Sequence, residues 1–420
     1  MISATGGSVR GAAGAGKRRK WWQPHIWAGM GFPGWIRLLA RHRFAVDWSW
    51  LVHAALITIA SVVHTALRGV QQVLYGRRIG RTVIRQAPLF IIGHWRTGTT
   101  LLHELLSLDE RHTSPSTYAC MAPNHFLLTE RFFSRWLAFL APDRRPMDDM
   151  AAGFDRPQED EFALCMLGQP SPYWRVAFPN HPSQADDYLD LEDLPPRSRA
   201  SWKRSFMRFL RELTFRDPRR LILKSPPHSC RIKTLLELFP DARFVHIVRD
   251  PYVVFPSTVN LWKTLYASQA LQKPTFAGLE EQVLSDCVRL YQKIEDGRKL
   301  IRADRFCELR YEDLVRDPVQ SMRQLYDCLG LGGFDRLLPR LNRHLAGIAD
   351  YRTNGYQLSP RQRVEIALRW GWIIEKYGYE PMPALEDRPR RPEPVFVQGR
   401  GPLPDWERGV PPTPSRPARR

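Results

Sequence analysis

Residues 89–106 read LFIIGHWRTGTTLLHELL. An apolar tetrapeptide, a hexapeptide bounded by Gly93 and Gly98, and an amphipathic segment follow one another without a spacer. Leu89–Ile92 has the length and unbroken apolarity of a strand buried on both faces. Pro88 introduces it and Gly93 closes it. From about Gly98 onward, Leu101, Leu102, Leu105, Leu106 and Leu108 recur at helical spacing. A strand that runs into a helix through such a turn leaves the first helical N–H groups without partners, aimed at one point. Those N–H groups and the helix dipole favour an anion there. Glycine lets the backbone turn tightly around it. Arg96 adds a cation, and Thr99 and Thr100 add hydroxyls.

The rest of the chain supplies a frame for that turn. Further short apolar strands are expected at Leu221–Leu223, Arg243–Val248 and Arg305–Leu309. Helices are expected over 125–140, 158–167, 199–215, 231–239, 280–302 and 318–329, and from about Val253. Residues 169–196 are rich in proline and read as loop. Strands alternating with helices predict an α/β fold, with a mainly parallel central sheet covered on both faces.

The formal charge of +19 is unevenly placed. Residues 1–50 hold eight cations against Asp47 alone, and residues 386–420 hold eight arginines against five acids. The excess therefore says less about a site than about the ends. Residues 1–47 read as a basic, partly disordered arm, and 381–420, with eleven prolines, as a Pro/Arg-rich disordered tail. Between them, 48–85 reads as a helical extension and 86–380 as the main domain. Residues 48–67 carry no formal charge and match a bilayer in length. Yet Leu51, Ala55, Ile59, Val62, Val63, Ala66, Val70 and Val73 recur at helical spacing, and six Ser, Thr and His residues dilute the apolar run. A buried or surface-docked amphipathic helix is expected rather than a span. The six cysteines form no C-x-x-C pair and no zinc-like cluster. They read as free thiols of a cytoplasmic protein, with membrane association through residues 1–75 left open.

The phosphate-type turn resembles a Walker A loop except that Thr99 stands where the lysine for terminal phosphates would be. That weakens a triphosphate-dependent kinase, although the expected architecture is still the three-layer fold of P-loop NTPases. Arg96-Thr97-Gly98-Thr99-Thr100 is similar to the phosphosulfate loop of sulfotransferases that use 3′-phosphoadenosine 5′-phosphosulfate (PAPS). Three more segments resemble that family, in order: Leu223-Lys224-Ser225-Pro226-Pro227-His228, the run from Arg243 through Arg249 to Ser257, and Tyr311-Glu312-Asp313-Leu314. The resemblance covers roughly residues 86–330 and sits nearest the bacterial and Golgi-like branches with Arg-x-Gly-Thr-Thr.

It implies transfer of a sulfuryl group from PAPS to a hydroxyl or amine of a glycan, lipid or small molecule, leaving 3′-phosphoadenosine 5′-phosphate. Arg96, Thr97, Gly98, Thr99 and Thr100 would face the 5′-phosphosulfate, Arg249 and Ser257 the 3′-phosphate, and Tyr311 the nucleotide. Lys224 would stabilise transferred charge, and the proton acceptor is left among His125, Glu159, Glu161 and His228. No metal is required. The partners implied are the nucleotide and an unidentified acceptor, whose pocket Tyr173, Trp174 and Phe178 would line unless they are core. No nucleic-acid partner is expected, since no zinc finger or RNP pair is present. The competing reading is a basic membrane-surface or polyanion-binding protein on a degenerate enzyme fold.

Overall fold

A computed structural model describes residues 25–136, 153–181, 185–347 and 355–381. Five parallel strands form the central sheet: β1 (Leu89–Ile92), β2 (His112–Thr113), β3 (Arg220–Lys224), β4 (Arg243–Val248) and β5 (Phe306–Arg310), in spatial order β2-β3-β1-β4-β5. Fourteen α-helices lie among the described residues. They are α1 (Phe32–Arg41), α2 (Leu51–Arg81), α3 (Thr99–Ser107), α4 (Thr117–Met121), α5 (Phe126–Trp136), α6 (Asp160–Met166) and α7 (Pro196–Arg216). Then come α8 (Ile232–Leu238), α9 (Pro251–Gln269), α10 (Leu279–Arg298), α11 (Tyr311–Arg316), α12 (Pro318–Cys328), α13 (Phe334–Gly347) and α14 (Pro360–Lys376).

Strand alternation divides the interior in two. Leu89 and Ile91 of β1, Ile222 of β3, and Val245 and Ile247 of β4 point into a core shared with Leu102, Leu105 and Leu106 of α3 and with α12. Phe90, Ile92, Leu221, Leu223, Phe244 and Val248 point into the larger core on the opposite face. Apolar residues on both faces are what a sheet covered by helices on both sides requires. The expected α/β P-loop-like three-layer architecture is therefore present. The expected strands are found within a residue or two. The two-residue β2 was not anticipated, because so short a run has no periodicity to read.

The arm expected over 1–47 is described only from residue 25 onward. Residues 25–47 are ordered and built into the larger core. Trp27, Met30, Trp35 and Leu38 are fully buried there. The indole N–H of Trp27 donates to the Gln269 carbonyl at 2.9 Å, and that of Trp35 to Thr58 Oγ1 at 2.9 Å. The lysines and arginines of residues 1–20 drew attention away from this short apolar helix, Phe32–Arg41. The arm up to residue 24 and the tail from 382 lie outside the described residues.

Helix α2 is docked on the surface of the domain, one of the two expected placements, but through a different face from the periodic one. It is a single helix of 31 residues. The periodic positions Leu51, Ala55, Ile59, Val62, Val63, Ala66, Val70 and Val73 face outward and are exposed. The domain is met instead by Ala54, Ile57, Ser61, Gln71 and Ile79. By length and composition alone, Trp48–Arg81 could cross a membrane, yet only 11% of its most apolar window is buried.

Four histidines are packed into this frame with their rings held neutral. Burial lowers His94, His112 and His125 to about 4 and His103 to about 3. Unfolding returns each to its ordinary value near 6.5, so the unfolded chain binds more protons in the interval. Stability is fully present above pH 6.5 and is lost as pH falls toward 4. A thermal melt series from pH 7.5 to 4.5 should show a steepening fall in melting temperature below 6.5. A flat profile would contradict the neutral, buried state of these rings.

Candidate functional site

The site lies where the parallel strands end, the edge at which α/β sheets hold ligands. Between β1 and α3 the chain turns through Gly93–Gly98. Gly98 has φ +98°, and a Cβ there would sit 2.2 Å from the Tyr311 ring. A Cβ on Gly93 would meet the Ile247 carbonyl oxygen at 2.6 Å. Both glycines are therefore imposed by close approach as well as by backbone conformation. Ser229 clamps the base of the loop, accepting from Gly93 N–H at 2.8 Å. Thr97 is fully buried and directs both its N–H and its hydroxyl to the His94 carbonyl. It shapes the turn from inside, rather than offering its hydroxyl outward as expected of a ligand contact. Thr99 and Thr100 open α3 behind Gly98.

β4 and β5 bring the other basic and aromatic groups. Arg96 has a left-handed φ of 70°, and its Nε donates to Ser257 Oγ at 2.9 Å. Arg249, just past β4, donates from Nη1 to the Arg96 carbonyl at 3.2 Å. Its guanidinium lies 4.1 Å above the centre of the Tyr311 ring. A cation stacked on a ring keeps its orientation without consuming its N–H donors. Arg96, Arg249, Ser257 and Tyr311, some 215 residues apart in sequence at the extremes, thus form one patch against the loop. Glu312 is not an exposed first-turn charge. It accepts from the Asp250 N–H at 3.0 Å and from the Tyr379 hydroxyl at 2.9 Å, and burial pushes its carboxyl up.

Lys224 ends β3 and joins the loop to a carboxylate. Its Nζ is 3.3 Å from Thr100 Oγ1 and 2.7 Å from Glu159 Oε1. The other oxygen, Glu159 Oε2, accepts from the Tyr173 hydroxyl at 2.5 Å, and that hydroxyl accepts from Trp95 Nε1 at 3.0 Å. Burial and the facing carboxylate push the Tyr173 phenol well above its ordinary value, so it remains a donor. Glu159 is the one member of Glu159-Asp160-Glu161 with an exposed side chain, at 12% against 0% for its two neighbours.

The remaining proton-acceptor candidates fall elsewhere. Glu161 is buried with Arg231 at 2.5 Å and also accepts from Ser171 at 2.6 Å. His228 is buried with Asp160 at 2.7 Å, its ring wedged edge-on against Phe90 and Phe206. His125 stacks on His64 of α2, shares a hydrogen bond with it at 2.5 Å, and meets Thr129 through its other nitrogen. The structure therefore groups Glu159 and Lys224 with the loop, and leaves Glu161, His228 and His125 in packing roles. Of the expected pocket aromatics, Trp174 and Phe178 belong to the core, each 1% exposed, and only Tyr173 reaches the site. Trp95 and Tyr173 were missed as partners of the carboxylate. Nothing in the sequence signalled these contacts, because Trp95 and Tyr173 lie 78 residues apart.

The sulfotransferase family model matches residues 88–336. Over 380 residues, covering 90% of this chain and 97% of the relative, the sequence is 51% identical to the omega-hydroxy-beta-dihydromenaquinone-9 sulfotransferase Stf3 of Mycobacterium bovis. Among solved structures, sulfotransferase STF9 from Mycobacterium avium superposes with a TM-score of 0.59 at 21% identity, over 84% of this chain and 97% of that one. STF1 from Mycobacterium tuberculosis H37Rv gives 0.51 at 19%, over 76% and 82%.

Two substitutions separate packing from chemistry. Glu161→Gln leaves Arg231 buried without a counter-charge and should cost about 3–5 kcal/mol of stability in a denaturant titration. Glu159→Gln also removes the counter-charge of Lys224, but at a partly open position where Thr100 remains a partner of that ammonium, so it should cost clearly less than Glu161→Gln. Equal losses in the two variants would mean that Glu159 is also structural. Gly98→Ala drives a methyl into the Tyr311 ring and should abolish anion binding at the loop, read as the loss of thermal stabilisation by inorganic phosphate or a nucleotide.

Proposed function

The chain belongs to the sulfotransferase family, and from that premise we propose that it moves a sulfuryl group from PAPS to the hydroxyl of a hydroxylated menaquinone. That it is a sulfotransferase, and so an enzyme, follows from membership and from the 51% identical relative. The acceptor class is the one in that relative's name, supported by alignment over nearly the whole of both chains.

The observation that carries the chemical reading is the link Thr100–Lys224–Glu159. One ammonium touches the loop suited to the donor and the carboxylate suited to the acceptor. PAPS, when bound, supplies the sulfuryl group and a phosphate leaving group. The residues present fit it: a loop with no room for a Cβ at Gly98, hydroxyls at Thr99 and Thr100, and cations on either side. In this reading Gly98, Thr99, Thr100 and Arg96 hold the 5′-phosphosulfate, and Arg249 and Ser257 hold the 3′-phosphate, with Tyr311 beneath Arg249. Glu159 takes the proton of the acceptor hydroxyl as the new S–O bond forms. Lys224 orients Glu159 and stabilises negative charge that grows on the sulfuryl oxygens and the departing phosphate. Tyr173, fixed by Trp95, keeps the second carboxylate oxygen in place. We place the enzyme in the cytoplasm, where its six free cysteines stay reduced, in peripheral contact with a membrane through its N-terminal region.

Differential scanning with 3′-phosphoadenosine 5′-phosphate should raise the melting temperature, and ATP should not. Arg249→Ala should weaken the bisphosphate by about 10- to 100-fold, the range of a lost charge-assisted hydrogen bond. Glu159→Gln should lower kcat by about 10²- to 10⁴-fold while leaving bisphosphate binding near wild type. Stabilisation by ATP alone would overturn the donor assignment. Full turnover in Glu159→Gln would remove Glu159 from the chemistry.

A further inference from the structure

The outward face of α2 is apolar for most of its length, which is roughly 45 Å at 1.5 Å per residue. Val52, Leu56, Ile59, Val63, Val70 and Val73 are all exposed, Val52 at 70% and Val73 at 84%. Trp48, one turn before the helix, is 88% exposed, and Phe44 also stands out. The helix cannot leave the domain to stand upright without loss. Gln71 is buried and its Oε1 accepts from Leu127 N–H at 3.1 Å. Thr65 Oγ1 accepts from Phe32 N–H at 2.8 Å, and Thr58 Oγ1 from Trp35 at 2.9 Å. These anchors at both halves hold α2 lengthwise on the protein, so whatever covers its outer face meets it side-on.

Charge decides what covers it. From Trp48 to His103 the sequence contains no Asp or Glu. Exposed Arg77, Arg78 and Arg81 close the far end of the stripe, and Arg43 stands at the near end. If two copies of α2 packed in antiparallel fashion, Arg77, Arg78 and Arg81 would meet the Arg43 end. If they packed in parallel, like would meet like. In the antiparallel case the one carboxylate at the near end is that of Asp47, which already accepts from the Lys273 N–H, whereas a layer of anionic headgroups offers a phosphate to every arginine. A fully exposed Trp at the end of an apolar stripe suits the headgroup boundary, where one side of the ring is dry and the N–H is wet.

We propose that the outer face of α2, with Trp48 and the flanking arginines, seats the enzyme in the plane of an anionic phospholipid bilayer. The helix lies in the interface with its valines, leucine and isoleucine in the acyl boundary and its arginines among the phosphates. The proposal rests on the peripheral membrane contact inferred above and names the surface that makes it.

Cosedimentation of the full chain with vesicles tests this. Vesicles of equal parts phosphatidylglycerol and phosphatidylcholine should bind it at least about tenfold more tightly than phosphatidylcholine alone, given several arginines at the surface. Ile59→Glu/Val63→Glu should weaken that binding at least about tenfold, with melting temperature and bisphosphate stabilisation unchanged. If that variant fails to fold, Ile59→Ser/Val63→Ser should still lower binding. Arg77→Glu/Arg78→Glu should remove the preference for anionic vesicles. The proposal is overturned if wild type ignores both vesicle types, or if the Ile59→Glu/Val63→Glu protein binds as well as wild type. It is also overturned if light scattering finds a dimer that this variant splits, since a second copy would then own the face. Loss of vesicle binding in wild type together with normal turnover of a detergent-dissolved acceptor would refute this surface and leave the acceptor assignment standing. Vesicle binding without such turnover would do the reverse.

Discussion

Three consecutive carboxylates and three basic residues hold the two halves of the site together. Glu159, Asp160 and Glu161 at the start of α6 meet Lys224, His228 and Arg231 along the end of β3 and the turn that follows. The outer two members have opposite fates. Glu161 and Arg231 are fully buried, where removing either charge strands the other. Glu159 and Lys224 lie at the open end, close enough to the phosphate-type loop for Lys224 to touch Thr100. The buried pairs therefore work as the fixed part of a hinge plate, and the open pair is aimed by them. A carboxylate on an unsupported loop would have to be positioned afresh by each ligand, whereas Glu159 is positioned by the core.

This arrangement also explains how much of the molecule could be read without coordinates. The loop between β1 and α3 was legible because glycine, hydroxyl and cation sit within one short segment, and so was the alternation that makes the sheet. Arg249, Ser257 and Tyr311 were legible as separate motifs, but their convergence was not. It depends on β4 and β5 ending on the same side of Gly98. The choice among His125, Glu159, Glu161 and His228 was beyond reach for a related reason. Three adjacent acids share almost the same local sequence, and only their partners at the end of β3 and in the turn after it decide which one faces out. His125 misled because a histidine between Asn124 and Phe126 can serve a site or a stack equally well, and its stacking partner His64 lies 61 residues away.

Two features of the N-terminal region were not legible in the sequence. A helix is recognised by periodic apolar residues on the assumption that they face the core. In α2 the periodic stripe faces outward, and the contacting side mixes Ile57 and Ile79 with Ala54, Ser61 and a buried glutamine bonded to a backbone N–H. In residues 25–41 the apolar run is interrupted by glycines and Pro33, so no regular period announces it, yet Trp27 and Trp35 are fully buried.

Those tryptophans have a consequence for how the chain reaches its native state. Trp27 finds its acceptor on Gln269, 242 residues later, and Asp47 accepts from Lys273. During synthesis the first folded-looking segment therefore waits for most of the polypeptide to emerge before its core exists. In that interval its indoles and the whole of α2 are uncovered together. A newborn chain of this kind presents its most apolar surface first and its nucleotide loop later. Of that surface, the folded protein later buries the indoles and leaves the outer face of α2 exposed.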